Sequence, residues 1–250
     1  MIEANSLHLG DCLDVMSEIP DMSIDAIIAD LPFGTTYSSW DKQIPIIPLW
    51  TQYKRIIKDN GAILLFSAQP FTSLLVTSNL PMFRYEWCWK KNRGTGHLNA
   101  KNQPMRDKED ICVFYKHQPT YNPQFDVGIP YTTSKGGNAT RVVETGDSPY
   151  WKHSIGPEYR NKNDGFRYPK QIIEFGMVEG KTLHRNQKPT DLLEYLIKTY
   201  TNEGDVVLDN TMGSGSTIVA AINTNRKFIG IEKERVYFEI STERMIGAMI

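Results

Sequence analysis

The sequence predicts an α/β fold, a doubly wound and mostly parallel sheet interrupted by an inserted loop-rich region. Short apolar runs alternate with amphipathic stretches at both ends of the chain, the pattern of strands and crossover helices. A glycine-rich turn directly follows one of those runs. Between them, over residues 117–183, the periodicity dissolves into prolines, glycines, asparagines and scattered aromatics.

The elements follow in order. Ser6–Leu9 reads as a short strand, followed by a helix through Leu13, Met16 and Ile19. Asp25–Ala29 (DAIIA) is apolar at consecutive positions, as a strand buried on both faces requires, and it ends at Asp30. Trp50–Ile57 reads as an amphipathic helix closed by the turn Asp59-Asn60-Gly61, and Ala62–Phe66 as the next buried strand. Tyr85–Lys90 and Ile111–Tyr115 are expected to be strands forming an antiparallel edge, with Asn92–Arg106 a polar loop between them. Thr190–Tyr200 sets Leu192, Leu193, Leu196, Ile197 and Tyr200 on one helical face. Asp205–Asp209 is a strand, Gly215–Asn223 a helix, Lys227–Glu232 a strand and Arg235–Ala248 a terminal helix. The expected organisation is therefore one domain in two halves, 1–116 and 184–250, around an insertion at 117–183. That stretch is too long for a structureless loop within a compact domain. Tyr121, Phe125, Tyr131, Tyr150, Trp151, Tyr159, Phe166 and Tyr168 give it enough aromatic mass for a small core, with disorder the competing reading.

The 250 residues carry 40% hydrophobic and 23% charged side chains, an ordinary globular balance. No apolar run approaches the roughly 20 residues that cross a bilayer, so a cytoplasmic location and no membrane partner are expected. Cys12, Cys88 and Cys112 are widely separated and read as buried small hydrophobes, not as a disulfide or zinc framework. His97, His117 and His153 form no metal-ligand pattern. The net charge of −1 conceals an asymmetry: residues 84–189 carry 18 Lys and Arg against 11 Asp and Glu, whereas the remainder carries 10 against 18. A basic middle between acidic ends fits a surface for a polyanion.

Two constellations carry chemistry. Asp209-Asn210-Thr211-Met212-Gly213-Ser214-Gly215-Ser216-Thr217 joins a buried strand to a helix. Glycine allows a sharp turn and close approach to a ligand, and such turns lie at the carboxyl ends of the strands, where α/β sheets bind ligands. The next strand ends in Glu232, placed to accept hydrogen bonds from both hydroxyls of a ribose. Together they read as a site for an adenosine-containing cofactor. No lysine follows the second glycine, so the turn is not a nucleotide-triphosphate loop. Asp30-Leu31-Pro32-Phe33-Gly34 follows the DAIIA strand. A carboxylate, a backbone carbonyl and an aromatic ring there fit a planar amine, the ring stacking on the heterocycle. A strand-ending turn with Phe33 in the core is the alternative.

With both in view, Asp30-Leu31-Pro32-Phe33 resembles the DPPY-type motif of DNA amino-methyltransferases, and Asp209–Thr217 resembles their DPFxGSGTT cofactor loop. Leu9-Gly10-Asp11-Cys12 resembles the family's early GD motif, whose acid lies near the cofactor adenine. His184-Arg185-Asn186-Gln187-Lys188-Pro189 resembles its HPTxKP segment. Their order resembles the β-group of N6-adenine and N4-cytosine DNA methyltransferases over about residues 7–116 and 184–240. Residues 117–183 then fall where that family keeps its target-recognition region. The resemblance implies S-adenosylmethionine as cofactor, a fold of that methyltransferase type, and direct methyl transfer to a flipped base, adenine N6 by preference. It assigns Asp30, Leu31, Pro32 and Phe33 to catalysis. Asp11, Lys188, Asp209, Asn210, Gly213, Ser214, Gly215, Thr217 and Glu232 are assigned to the cofactor. The basic residues Lys90, Lys91, Arg93, Lys101 and Arg106 are expected to meet double-stranded DNA. A homodimer and a companion restriction endonuclease are family-level expectations. N4-cytosine methylation stays open, though that subgroup more often carries serine at the position of Asp30, as does a non-catalytic DNA-binding relic. Leu31 replaces the usual proline and Phe33 the tyrosine, losing a phenolic contact. Asn210-Thr211-Met212 replaces Pro-Phe-x and is expected to loosen the wall against the cofactor.

Overall fold

The computed structural model describes residues 2–34, 41–134, 160–178 and 187–250. His153, Tyr150, Trp151, Tyr159 and His184–Asn186 lie outside the described residues. The chain forms two compact units, one of residues 1–124 and 170–250 and the other Phe125–Pro169. The second is narrower than the 117–183 region expected from the loss of periodicity. His117–Gln124 and residues 170–178 belong to the first.

In chain order, the first unit begins with β1 (Ser6–Leu9), α1 (Cys12–Met16), β2 (Ile24–Asp30), α2 (Ile46–Ile56), β3 (Ile57–Ser67), α3 (Phe71–Ser78), β4 (Phe83–Thr95) and β5 (Arg106–Phe114). The second unit holds β6 (Asp126–Val127) and β7 (Tyr131–Ser134), then β8 (Arg160–Asn163) and β9 (Phe166–Arg167). The chain returns with β10 (Ile172–Glu174), α4 (Thr190–Tyr200), β11 (Val206–Asp209), α5 (Ser216–Asn223), β12 (Lys227–Glu232) and α6 (Arg235–Met249). Eight strands form one sheet in the order β1-β12-β11-β2-β3-β5-β4-β10. Neighbours from β1 to β3 pair in parallel, β5 pairs antiparallel with both β3 and β4, and β10 runs parallel to β4.

The parallel half is buried on both faces, which is why its strands read as continuous apolar runs. On one face, Ile27 and Ala29 of β2 pack with Met16, Tyr53, Trp50 and Leu75 of α1–α3. On the other, Ala26 and Ile28 pack with Leu192, Leu196 and Ile218 of α4 and α5. From β2 the chain proceeds to β3, and from β11 to β12 on the opposite side. The carboxyl ends of β2 and β11 therefore flank the switch point of the sheet, where a crevice opens for a ligand.

Several local expectations are corrected. Helix α2 starts four residues before Trp50, because Pro48 in its first turn has no intrahelical N–H bond to lose. Asp59-Asn60-Gly61 is not a helix-ending turn but part of β3, at a slip in pairing: Ile24 opposes Ile57, whereas Ala26 opposes Ala62. Gly61 is needed there, since a Cβ would lie 2.7 Å from the Ile57 side chain and 2.8 Å from the Asp25 carbonyl oxygen. The antiparallel strands are longer than expected, taking in Asn92–Thr95 and Arg106 from the predicted loop. They do not form the edge, which β10 occupies. Helix α3 was not anticipated. Among the cysteines, Cys12 and Cys112 are buried and Cys88 is half-buried.

In the second unit β6 pairs with β9 and β7 with β8, both antiparallel. Phe125 packs on Phe166 and Tyr168, with ring centroids 5.9 and 4.9 Å away, and Arg167 lies over the Tyr131 ring. Tyr121 belongs instead to the first unit, edge-on to Tyr200.

Candidate active site

Parallel strands bring their carboxyl ends to one rim, so Asp11 after β1, Glu232 ending β12, Asp209 ending β11 and Asp30 ending β2 all meet there. Asp11 caps α1, its Oδ1 accepting the Leu13 amide at 3.0 Å and its Oδ2 pairing with Lys233 at 3.1 Å. Partial burial pushes its carboxyl up, but the Leu13 amide and the Lys233 ammonium outweigh that and hold it below the usual range. Glu232 accepts the Gly213 amide at 2.9 Å and the Glu234 amide at 2.7 Å, one on each oxygen. The Lys233 amide reaches the same carboxylate, and the two oxygens together keep acceptor capacity for a hydroxyl. Burial nevertheless raises the Glu232 carboxyl above its ordinary value.

The glycine turn is held from inside. Asp209 Oδ1 accepts the Thr211 amide at 3.0 Å, and the Thr217 hydroxyl also bonds the carboxylate. Burial pushes this carboxyl up to about 7. Gly213 and Gly215 have φ of 52° and 77°, in the left-handed region. A Cβ on Gly215 would come within 2.8 Å of Ser241 Cβ on α6. Each residue of Asn210-Thr211-Met212 is held by a contact beyond the turn. Tyr53 donates to Asn210 Oδ1 at 2.6 Å, and Thr211 Oγ1 donates to the Asp30 carbonyl at 3.1 Å. Met212 is buried against Gly230, where any Cβ would strike its sulfur. Ser214 faces α6, its carbonyl accepting Arg244 Nη1 at 2.6 Å.

At β2, the Leu31 side chain is in the core. Pro32 and Phe33 are half-buried, and the Phe33 ring stacks on Phe71 at 5.0 Å with an interplanar angle of 22°. Asp30 Oδ2 lies 2.6 Å from Lys188 Nζ, which also lies 3.2 Å from Glu109 Oε2 and 5.1 Å from the Phe66 ring centroid. Lys91 bonds the other Glu109 oxygen. Burial raises the Asp30 carboxyl despite Lys188. For Glu109, burial pushes up but Lys188 and Lys91 prevail and lower it. For Lys188, burial pulls down but the two carboxylates prevail and raise it.

The two lysines of this cluster, Lys188 and Lys91, are placed by their carboxylate partners. Lys188, assigned to the cofactor, bonds the carboxylate of Asp30. Lys91 is buried on Glu109, its side chain only 8% exposed, so its ammonium is not at the surface for a phosphate. Lys90 pairs with Glu174 at the surface, and Arg93, Lys101 and Arg106 are exposed on the hairpin of β4 and β5. Tyr53 and Glu109 escaped the sequence reading, and Thr211 entered it only as one residue of the glycine-rich turn. Glu109 is one of five charged residues in Arg106–Asp110 and nothing in their order singles it out.

Comparison with known proteins agrees with this geometry. Residues 24–243 match the model of the N6/N4 DNA methylase family, described as DNA methylase. The chain belongs to that family, and it is a DNA methyltransferase. It is similar to the type II methyltransferase M1.MboII of Moraxella bovis, 27% identical with 95% of each chain covered. It is also similar to the DNA adenine methyltransferase YhdJ of Escherichia coli K12, 27% identical over 97% of this chain and 83% of that one. Among solved structures, M1.HpyAVI in complex with SAM matches with a TM-score of 0.65 at 23% identity, covering 96% of this chain and 98% of that one. The cytosine-N4-specific PvuII DNA methyltransferase matches with a TM-score of 0.67 at 15% identity, covering 98% and 87%.

Proposed function

We propose that this protein transfers a methyl group from S-adenosylmethionine to N6 of an adenine flipped out of double-stranded DNA at a specific site. The observation that carries this reading is the half-buried carboxylate of Asp30 at the switch point, whose own carbonyl accepts the Thr211 hydroxyl of the glycine turn. An amine acceptor and the cofactor turn are thereby fixed to each other.

The residues present suit the cofactor. Asp11, Asp209 and Glu232 give the rim carboxylates that accept ribose and amine protons and complement a sulfonium charge. Asn210 Nδ2 is buried beside the Cys12 thiol without a conventional hydrogen-bond partner, an unspent donor in the turn. Gly213, Gly215 and Thr217 shape that turn, with Ser214 anchoring it to α6. S-adenosylmethionine, when bound, supplies an already activated methyl group.

Positioning then supplies most of the catalysis. The lone pair of a base amino group is delocalised into the ring. Donation of its protons to Asp30 Oδ1 and the Leu31 carbonyl draws the nitrogen toward tetrahedral geometry and frees that pair for the methyl carbon. The extra proton on the methylated nitrogen passes to Asp30, whose raised carboxyl suits it as acceptor. A base must leave the stack to reach such a pocket. Phe33 stacks on the flipped base, with Phe71 supporting the ring from behind. Pro32 fixes the turn that presents it.

Arg93, Lys101 and Arg106, with Lys90 at their margin, hold phosphates, and the second unit reads base edges. A carboxylate at Asp30 favours adenine over cytosine, since serine more often stands there in the cytosine subgroup. A homodimer and a companion endonuclease accompany this reading. The test is incorporation of labelled methyl into mixed-sequence DNA. Wild type incorporates label and D30A does not, while calorimetry shows D30A binding the cofactor as wild type does. Loss of cofactor affinity together with activity contradicts this division of labour.

A further inference from the structure

The Asp30 carboxylate does not stand alone. Lys188 approaches Oδ2 at 2.6 Å and is itself approached by Glu109 Oε2 at 3.2 Å, while Lys91 holds the far oxygen of Glu109. The four side chains come from β2, β4, β5 and the segment entering α4. Their exposures are 24% for Asp30, 8% for Lys91, 16% for Glu109 and 10% for Lys188. Two cations and two anions withdrawn this far from water are a costly arrangement, because desolvation offsets much of the attraction. Apolar side chains of similar volume often hold a fold as well as such a block does, which directs attention to what the block does for Asp30.

The terminal torsion of an aspartate is broad and two-fold, so an unpartnered carboxylate turns between equivalent orientations. An amine acceptor that must present one oxygen in one direction needs that torsion stopped. Lys188 engages a single oxygen, Oδ2. Its own backbone is constrained, because Pro189 restricts the preceding residue to extended conformations and caps α4, with φ of −61°. Behind it, Glu109 Oε2 is buried with Lys188 Nζ at 3.2 Å as its ion-pair partner, so its charge draws Lys188.

We propose that Lys188 is a positioning residue for Asp30, braced by Glu109 and Lys91: its ammonium stops Oδ2 and leaves Oδ1 to accept the base amino group. This rests on the reading of Asp30 as the amine acceptor. It moves Lys188 from the cofactor to the target base, and it gives Glu109 and Lys91 roles that neither composition nor motif assigns.

The pH dependence separates this from a packing role. The charged groups facing Asp30 are Lys188, Glu109 and Lys91, with Asp209 of β11 beyond them. Lys188 pulls the Asp30 carboxyl down and Glu109 pushes it up. Removing them therefore moves the acidic limb of kcat in opposite directions: to higher pH in K188M, to lower pH in E109Q. The experiment measures kcat, KM for DNA and cofactor Kd across pH for wild type, K188M, K188R, E109Q and D30A, with circular dichroism to verify folding. K188M is expected to lose kcat on the order of a hundredfold, the scale of a misplaced reacting group. Its cofactor Kd stays at the wild-type value, and K188R recovers most of the loss. Limbs that move together or not at all overturn the proposal, as does a K188M defect confined to cofactor Kd. Should K188M not fold, E109Q still decides by the direction in which its limb moves, and K188R by keeping the wild-type limb. Full activity in D30A instead strikes the underlying reading of Asp30, a distinguishable failure.

Discussion

Replacing Asp209 by asparagine removes a buried carboxyl whose ionisation costs the fold stability. Asp209 is 4% exposed, and burial moves its carboxyl from the ordinary 3.8 to about 7. Each tenfold change in proton affinity is about 1.4 kcal/mol, so the ionised side chain costs the native state up to about 4 kcal/mol. A raised carboxyl means that the native state binds its proton more tightly than the unfolded chain does. The cost is therefore absent below 3.8, grows as pH rises, and is complete above about 7. Asparagine fits the same space: its Oδ1 still accepts the Thr211 amide, and the Thr217 hydroxyl can reverse its role and accept from the new amide. Urea denaturation of cofactor-free wild type and D209N at a series of pH values measures the difference. It should be near zero at the acid end and rise toward about 4 kcal/mol in favour of D209N above neutrality. A difference that does not vary with pH, or a D209N protein less stable throughout, would refute this reasoning.

Other perturbations bear on the same rim. Tyr53→Phe leaves the buried Asn210 Oδ1 without its donor and should cost about 1–3 kcal/mol, read as a lower Tm together with weaker cofactor binding by calorimetry. Gly215→Ala sets a side chain at φ 77° and 2.8 Å from Ser241 Cβ. It should destabilise by at least about 1 kcal/mol and displace α5 from α6, measured by thermal unfolding. Lys91→Met removes the direct partner of one Glu109 oxygen in a buried block and should cost about 3–5 kcal/mol in stability. Its salt dependence of DNA binding should stay as in wild type. Arg93→Ala and Arg106→Ala should each reduce the slope of log Kd against log salt by about 1 with little change in Tm.

The parallel half of the sheet was legible because burial on both faces leaves consecutive apolar residues, as in DAIIA, and because its turns carry their chemistry contiguously. Asp209–Thr217 and Asp30–Phe33 each present a complete local pattern that the fold then brings to one rim. Lys188 shows where that legibility stops. Its place next to Lys-Pro and α4 is local, but its partner Asp30 lies 158 residues away, and no local pattern encodes a partner across the sheet. Lys91 looked like one of five surface cations because its own strand does not reveal that Glu109 of β5 and Lys188, from the segment entering α4, meet on its side of the sheet. The Asp59-Asn60-Gly61 turn was misread for a related reason. Its composition fits a helix stop, and only the slipped pairing of β2 with β3 puts it inside a strand.

The most direct test of the account is the identity of the modified base. Purified protein is incubated with S-adenosylmethionine and mixed-sequence duplex DNA, which is then digested to nucleosides and resolved by mass spectrometry. The carboxylate of Asp30 as amine acceptor predicts N6-methyladenine in wild type and none in D30A. N4-methylcytosine in place of N6-methyladenine, or no methylated nucleoside at all from a folded, cofactor-binding protein, contradicts it.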